Sequence, residues 1–144
     1  MLRTIKDGYK IKSIENEQIL LKLFQINGNQ YFYSIYLKSR RRKIGYCDLR
    51  LGHNDELYYY GNIGYRINEK YRGNNYAYKA CLLLLVIAKE MNMDYLIITC
   101  SPENIASDKT IKKLNADYVA TVELPQWHPL YASERIKKIY RIDL

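Results

Sequence analysis

The sequence predicts an α+β fold: a mixed, mostly antiparallel central sheet of about seven strands with two main helices. Three observations lead there. Two apolar, strand-like stretches at 18–26 and 31–37 are joined across Asn27-Gly28, the dipeptide favoured by a two-residue hairpin turn. A nearly continuous apolar segment at 80–88 follows a polar loop and forms, with its flanks, a buried helix. Beyond it, strand-like and helix-like stretches alternate without a Pro-, Gly- or Ser-rich linker, so 1–144 reads as one domain.

Taken in order, residues 1–17 hold one short alternation, Tyr9-Lys10-Ile11-Lys12, and are open between a strand and an ordered tail. The two hairpin strands follow. The charged connection KSRRRK at 38–43 reads either as a phosphate or RNA patch or as a solvated hairpin turn, and charge runs favour the turn. A third strand at 44–51 places Ile44, Tyr46, Asp48 and Arg50 on one face and Cys47, Leu49 and Leu51 on the other. Gly52-His53-Asn54-Asp55 turns the chain into a fourth strand at 58–67, where Gly61 and Gly64 point to a bulge. Four antiparallel strands thus precede the first helix.

That helix spans about 75–91, with Ala77, Ala80, Cys81, Leu84, Leu85 and Ala88 on one face and a stop at Asn92. Leu82, Leu83, Val86 and Ile87 are apolar as well, so most of its circumference needs cover, and an exposed remainder would point to a homodimer. Residues 95–100 form a short buried strand, reached by a right-handed, parallel crossover. Asn104 caps a second helix at 105–114. Strands at 117–124 and 134–144 close the fold around the loop PQWHPLY, which holds the single Trp.

Composition narrows the function. With 48% apolar residues the chain can bury a real core. The net charge of +8 invites a nucleic-acid reading. Yet Ile, Asn, Lys and Tyr are all abundant, and a basic surface equally suits a ligand carrying phosphates, so nucleic acid is the less favoured partner. Cys47, Cys81 and Cys100 are odd in number and far apart, with no C-x-x-C. That argues against a disulfide framework or a zinc site and for small core residues in a reducing cytosol. The N-terminus lacks an apolar h-region, and the run at 80–88 falls short of the roughly 20 residues a bilayer requires. The reading is cytoplasmic, with no membrane partner.

The stretch 57–79, LYYYGNIGYRINEKYRGNNYAYK, carries the chemistry. A loop of small residues that tolerate left-handed backbone leads into a helix, aiming several N–H groups at one spot where the helix dipole is positive. An anion belongs there, and a pyrophosphate is its natural form.

In this stretch Arg72-Gly73-Asn74-Asn75-Tyr76-Ala77 matches the pattern Gln/Arg-x-x-Gly-x-Gly/Ala, the acyl-CoA-binding motif of the GNAT N-acetyltransferase superfamily. The likeness continues through Ser101-Pro102-Glu103-Asn104-Ile105-Ala106-Ser107 and Lys112-Lys113-Leu114-Asn115-Ala116, covering roughly 57–122. The lead-in IGYRINEKYRG is similar to the branch that acetylates protein N-termini and small amines. The resemblance implies an acyl-CoA N-acyltransferase-like fold with a shortened N-terminal helical region, because Asn27-Gly28 leaves a hairpin where relatives carry one or two helices. It implies acetyl-CoA as co-substrate, an acetyltransferase activity by direct attack in a ternary complex, and a small-molecule amine or a peptide N-terminus as acceptor.

Residue by residue, the resemblance gives the pyrophosphate to the backbone N–H groups of Gly73, Asn74, Asn75, Tyr76 and Ala77, with charge from Arg72 and Lys79. Tyr65 and Ile67 would offer backbone groups to the pantetheine arm, Asn104 would bond its amide, and Lys113 would reach the phosphates. Two family glycines are Asn75 and Asn115 here, and Asn is the residue best able to keep a left-handed backbone without glycine. The family's thiolate-protonating tyrosine falls at Ile111, and a glutamate of the closest branch falls at Asn62, which cannot titrate. A base is then sought in His53 and Glu56, or in His128; each also reads as an ordinary turn or surface residue. Two other functions compete: a non-catalytic acyl-CoA-binding or regulatory module, and a basic nucleic-acid binder using KSRRRK and exposed tyrosines.

Overall fold

The structure, a computed structural model, describes all 144 residues. Its first half is an antiparallel meander of six strands in chain order: β1 Arg3–Asp7, β2 Lys10–Glu15, β3 Ile19–Asn27, β4 Gln30–Leu37, β5 Arg42–Arg50 and β6 Ile63–Ile67. A short helix, α1 Asp55–Tyr60, precedes β6. The long helix α2 Tyr76–Glu90 leads to β7 Tyr95–Cys100, then α3 Ile105–Lys113, β8 Asp117–Glu123 and β9 Ile136–Asp143. The last three strands form a second sheet in the order β7-β9-β8.

The α+β class agrees with the sequence, and three details differ. Nine strands replace about seven, chiefly because residues 1–17 fold as the β1–β2 hairpin. Every ladder is antiparallel: the α2 crossover joins β6 to β7, but those two strands separate instead of pairing. Residues 55–60 are helical, not the start of the fourth strand. Asn54 Oδ1 accepts from the Leu57 N–H at 2.8 Å, Asp55 and Glu56 sit at the positive end, and Gly61 at φ 82° ends the turn. These cap signals outweigh the strand propensity of three consecutive tyrosines.

The core lies between the inner face of the meander and α2. Ile11, Ile14, Leu21, Tyr33, Ile35, Cys47 and Leu49 are buried against Ala80, Cys81, Leu84 and Ile87. Ile44 joins them, although strict alternation places it outward. The β4–β5 register shifts between Ile35 and Tyr36, which leaves Ile44 opposite no partner and turns it inward. The three cysteines are free and buried. Leu82 is the exposed apolar residue of α2, and no helix is long and apolar enough to cross a membrane.

Candidate active site

The cleft opens where β6 and β7 part. What holds them at one end is Asn62, fully buried and saturated. Its side-chain amide donates to the carbonyls of Arg50 and Gly52, each at 2.8 Å, and its Oδ1 accepts from the Ile97 N–H at 2.8 Å. Its own N–H donates to the Ile97 carbonyl at 2.7 Å. Gly61 presses on the same strand: a Cβ there would stand 3.2 Å from the Ile97 carbonyl oxygen and 3.3 Å from the Thr99 nitrogen. Beyond this splice the strands diverge around a cavity of about 820 Å³.

Because Asn62 and Asn68 bond to β5 on either side of the strand, the alternation of an antiparallel ladder turns the intervening backbone groups of Ile63, Tyr65 and Ile67 toward the cleft. The backbone of Tyr65 and Ile67 therefore faces the cleft. One group is already taken: Arg72 Nε donates to the Ile67 carbonyl at 2.8 Å, which ties the following loop back to β6.

At the α2 end the loop takes the expected shape. Gly73 has φ 83°, and Asn75, in the place of a family glycine, has φ 63° and ψ 18°. Asn115, the second Asn-for-Gly position, has φ 61°. The N–H groups of Gly73, Asn74, Asn75, Tyr76 and Ala77 donate to nothing within the chain; the first helical bond runs from Lys79 N to the Asn75 carbonyl. Gly73, Asn75, Tyr76 and Ala77 line the cavity, while Asn74 turns its side-chain amide back onto the Tyr71 and Arg72 carbonyls. Lys79 pairs with Gln18 and does not line it. Six cations do: Arg50, Arg66, Arg72, Lys109, Lys113 and Lys137, with no carboxylate among them. Such a wall favours an anionic guest.

The facing wall is α3. Asn104 both caps the helix, accepting from the Ser107 N–H at 3.0 Å, and lines the cavity with its amide nitrogen unused. Lys113 lies over the Tyr78 ring at 4.6 Å. Sequence reasoning missed a hydroxyl pair between the walls: Tyr65 Oη and Ser107 Oγ are 2.6 Å apart. Burial pushes the Tyr65 phenol above its ordinary range, so it stays protonated. Helical spacing puts Ser107 in line with Asn104 and Thr110, but nothing local points to Tyr65 as its partner. Ile111, where relatives place a tyrosine, is wholly buried in the core.

The opposite end is lined by Arg50, Tyr60, Thr99, Leu130 and Lys137. Arg50 is fixed by Asp48 (Nε to Oδ2, 2.8 Å) and by the Tyr60 and Gly61 carbonyls at 3.1 Å. The pair lies on Gly64, where a Cβ would meet Asp48 Oδ1 at 2.6 Å and Arg50 Nη2 at 2.7 Å; close packing, not a bulge, explains that glycine. Arg50 and Tyr60 also border a second hollow of about 490 Å³, lined by Asn27, Asn29, Gln30, Asn54 and Glu56 among others.

The three candidate bases separate. Glu56 is the sole carboxylate on this second hollow. His53 lines neither cavity; its ring stacks on Tyr95 at 3.8 Å and 4°. Partial desolvation of this exposed ring, with the Arg141 charge nearby, holds its pKa below the usual imidazole value. His128 is buried with both nitrogens engaged, Nδ1 accepting from the Leu130 N–H at 3.1 Å and Nε2 facing the Glu56 carbonyl at 2.9 Å. It pins the 125–131 loop to α1.

Comparison with known proteins agrees with this geometry. Residues 9–117 match the family model described as an acetyltransferase (GNAT) domain. The chain is 38% identical over 72 residues to the uncharacterised N-acetyltransferase YnaD of Bacillus subtilis strain 168, a match spanning 46% of this chain and 42% of that protein. The fold superposes on the ribosomal-protein-S5-alanine acetyltransferase of Vibrio fischeri with a TM-score of 0.69 at 11% identity, covering 91% and 96% of the two chains. It also superposes on the microcin self-immunity acetyltransferase MccE, solved with acetyl-CoA and AMP, with a TM-score of 0.63 at 14% identity over 81% and 62%. The chain belongs to the GNAT acetyltransferase family.

Proposed function

We propose that this chain is an acetyl-CoA-dependent N-acetyltransferase that acetylates a primary amine by direct attack in a ternary complex. The observation that carries the reading is the cleft between β6 and β7, with six cations, no carboxylate and five unbonded N–H groups at one end. The pyrophosphate would sit on the N–H groups of 73–77, with the two unpaired Nη atoms of Arg72 and the Lys113 ammonium beside it. The pantetheine arm would run along the free edge of β6, bonding Tyr65 and the unused Asn104 amide. A β6 N–H would meet the thioester carbonyl where its charge develops.

The amine nitrogen attacks the carbonyl carbon, the C–S bond breaks, and the thiolate leaves toward the Tyr65–Ser107 hydroxyl pair, which hydrogen-bonds it as it takes a proton. The acceptor approaches from the Arg50–Tyr60 end, where the second hollow opens. The nitrogen's proton leaves through water toward Glu56, the one carboxylate bordering that approach.

A second reading stays in view because no carboxylate lines the main cleft and Asn62 is a structural splice: a non-catalytic acyl-CoA-binding module of the same fold. Calorimetric titration with acetyl-CoA, with CoA and ATP as comparisons, comes first. Saturable one-to-one binding of acetyl-CoA is expected; none, in folded protein, rejects both readings. Free-thiol release on adding a panel of primary amines then separates them, since turnover with any amine rules out the non-catalytic module.

A further inference from the structure

The outer face of the meander, opposite α2, is bare. Ladder pairing sets its composition: Lys22 opposes Ser34, which opposes Tyr46, while Tyr36 opposes Lys43. Phe24, the extra residue where the β3–β4 register shifts, packs on Phe32 with ring centroids 6.0 Å apart. Phe24 and Tyr46 are 52% and 44% exposed, well above a core aromatic. Lys43 reaches across β4 to lie over the Phe24 ring at 5.4 Å, placing a cation among the rings.

The two carboxylates on this face of β2–β5, Glu15 and Asp48, are both engaged. Asp48 is consumed by Arg50 and by Gln30 at 2.9 Å, and Glu15 by Lys38 at 2.6 Å. At the β4–β5 turn the basic run continues, with Arg40, Arg41 and Arg42 all exposed.

We propose that this face docks single-stranded nucleic acid. Aromatic rings on an open antiparallel sheet stack bases without regard to sequence, and interleaved cations track the phosphates. Both are present, and the KSRRRK run, unused by the acyl-CoA cleft, supplies the end of the track. A second copy packed face to face would set one cationic surface against another of the same sign. An acidic polypeptide would use the cations but has no need of exposed stacking rings. The proposal departs from the sequence-based preference against nucleic acid, because strand pairing collects onto one face residues that composition alone scatters.

The test is fluorescence anisotropy of the full chain with a labelled single-stranded oligouridine, at low and moderate salt. Saturable binding is expected, weakening steeply with salt as counterions are released. The double variant Phe24→Ala/Tyr46→Ala should weaken it about tenfold or more. Lys43→Ala and Arg41→Ala should each lower the slope of log K against log salt by about one. Unchanged melting temperature and acetyl-CoA affinity in these variants show that fold and cleft are intact. The proposal is overturned by no saturable binding at low salt, by ring variants that bind as well as the parent, or by polyglutamate displacing the oligonucleotide equally well. A dimer in sedimentation that Tyr46→Glu dissolves overturns it too.

Discussion

At the α2 end of the cleft, the unbonded groups are backbone N–H atoms from five consecutive residues. At the Arg50 end the lining groups are side chains from β5, α1, β7, β9 and the loop after β8. The first end needs only a backbone shape, so it survives replacement of glycine by Asn75, whose φ of 63° keeps the turn. The second needs particular functional groups held in place by others, and there a single exchange changes the chemistry. Asn62 shows this: in place of a titratable glutamate stands an amide whose donors and acceptor are all spent on joining β5, β6 and β7.

The largest expected effect breaks the first end alone. Ala77→Glu sets a carboxylate among the N–H groups proposed to hold a pyrophosphate, and like charges brought together cost several kcal/mol. Acetyl-CoA affinity should fall at least about 100-fold in calorimetry. The melting temperature should hold, because an acid in the first helical turn suits the dipole. Normal acetyl-CoA binding by this variant would remove the phosphate assignment.

Next in size is a break at the splice. Asn62→Ala strands the Ile97 N–H and the Arg50 and Gly52 carbonyls, costing about 3 kcal/mol, or roughly 10 °C in Tm. Asn62→Glu, which restores the family-like carboxylate, should lose at least as much, because it buries a charge without a partner. No gain in kcat is expected. A variant as stable as the parent and faster would show that the position is catalytic after all.

The same contrast decides how much was legible beforehand. The loop–helix end was readable because Gly73 and Asn75 are neighbours in sequence, and the Asn104 cap and Asn115 around α3 likewise act through local preference. The strands from 19 onward followed from alternation and from Asn27-Gly28. The α1 helix was hidden under Tyr58-Tyr59-Tyr60, whose strand propensity is overruled by the Asn54 cap and Gly61. The inward turn of Ile44 depends on a register shift that alternation cannot show. The Tyr65–Ser107 pair and the sharing of Arg50 between two cavities are contacts between distant segments, so no local pattern announces them.

Glu56→Gln sharpens the comparison on the acceptor side. If Glu56 draws the acceptor's proton through water, kcat/KM should drop roughly tenfold to a hundredfold, with the acidic limb of the pH–rate profile altered. Acetyl-CoA affinity should not move, since Glu56 lies outside the main cleft. An unchanged rate and profile would leave deprotonation to bulk water and the Arg50 end to positioning alone.

The smallest effect concerns His53, which touches neither cavity. Its pKa is depressed from the ordinary 6.5 by partial desolvation of the ring and by the Arg141 charge. Folding therefore favours the neutral ring. Below pH 6.5 the unfolded chain takes up a proton that the folded chain refuses, so stability falls as the solution is acidified toward the folded-state value, and the loss levels off below it. His53→Phe keeps the stack on Tyr95 but has nothing to protonate, so its Tm should decline less over that window, by no more than roughly 2 °C. Acetyl transfer by the variant should match the parent at every pH. A change in the pH–rate profile would instead place the imidazole within reach of the acceptor and move the catalytic end of the cleft toward β7.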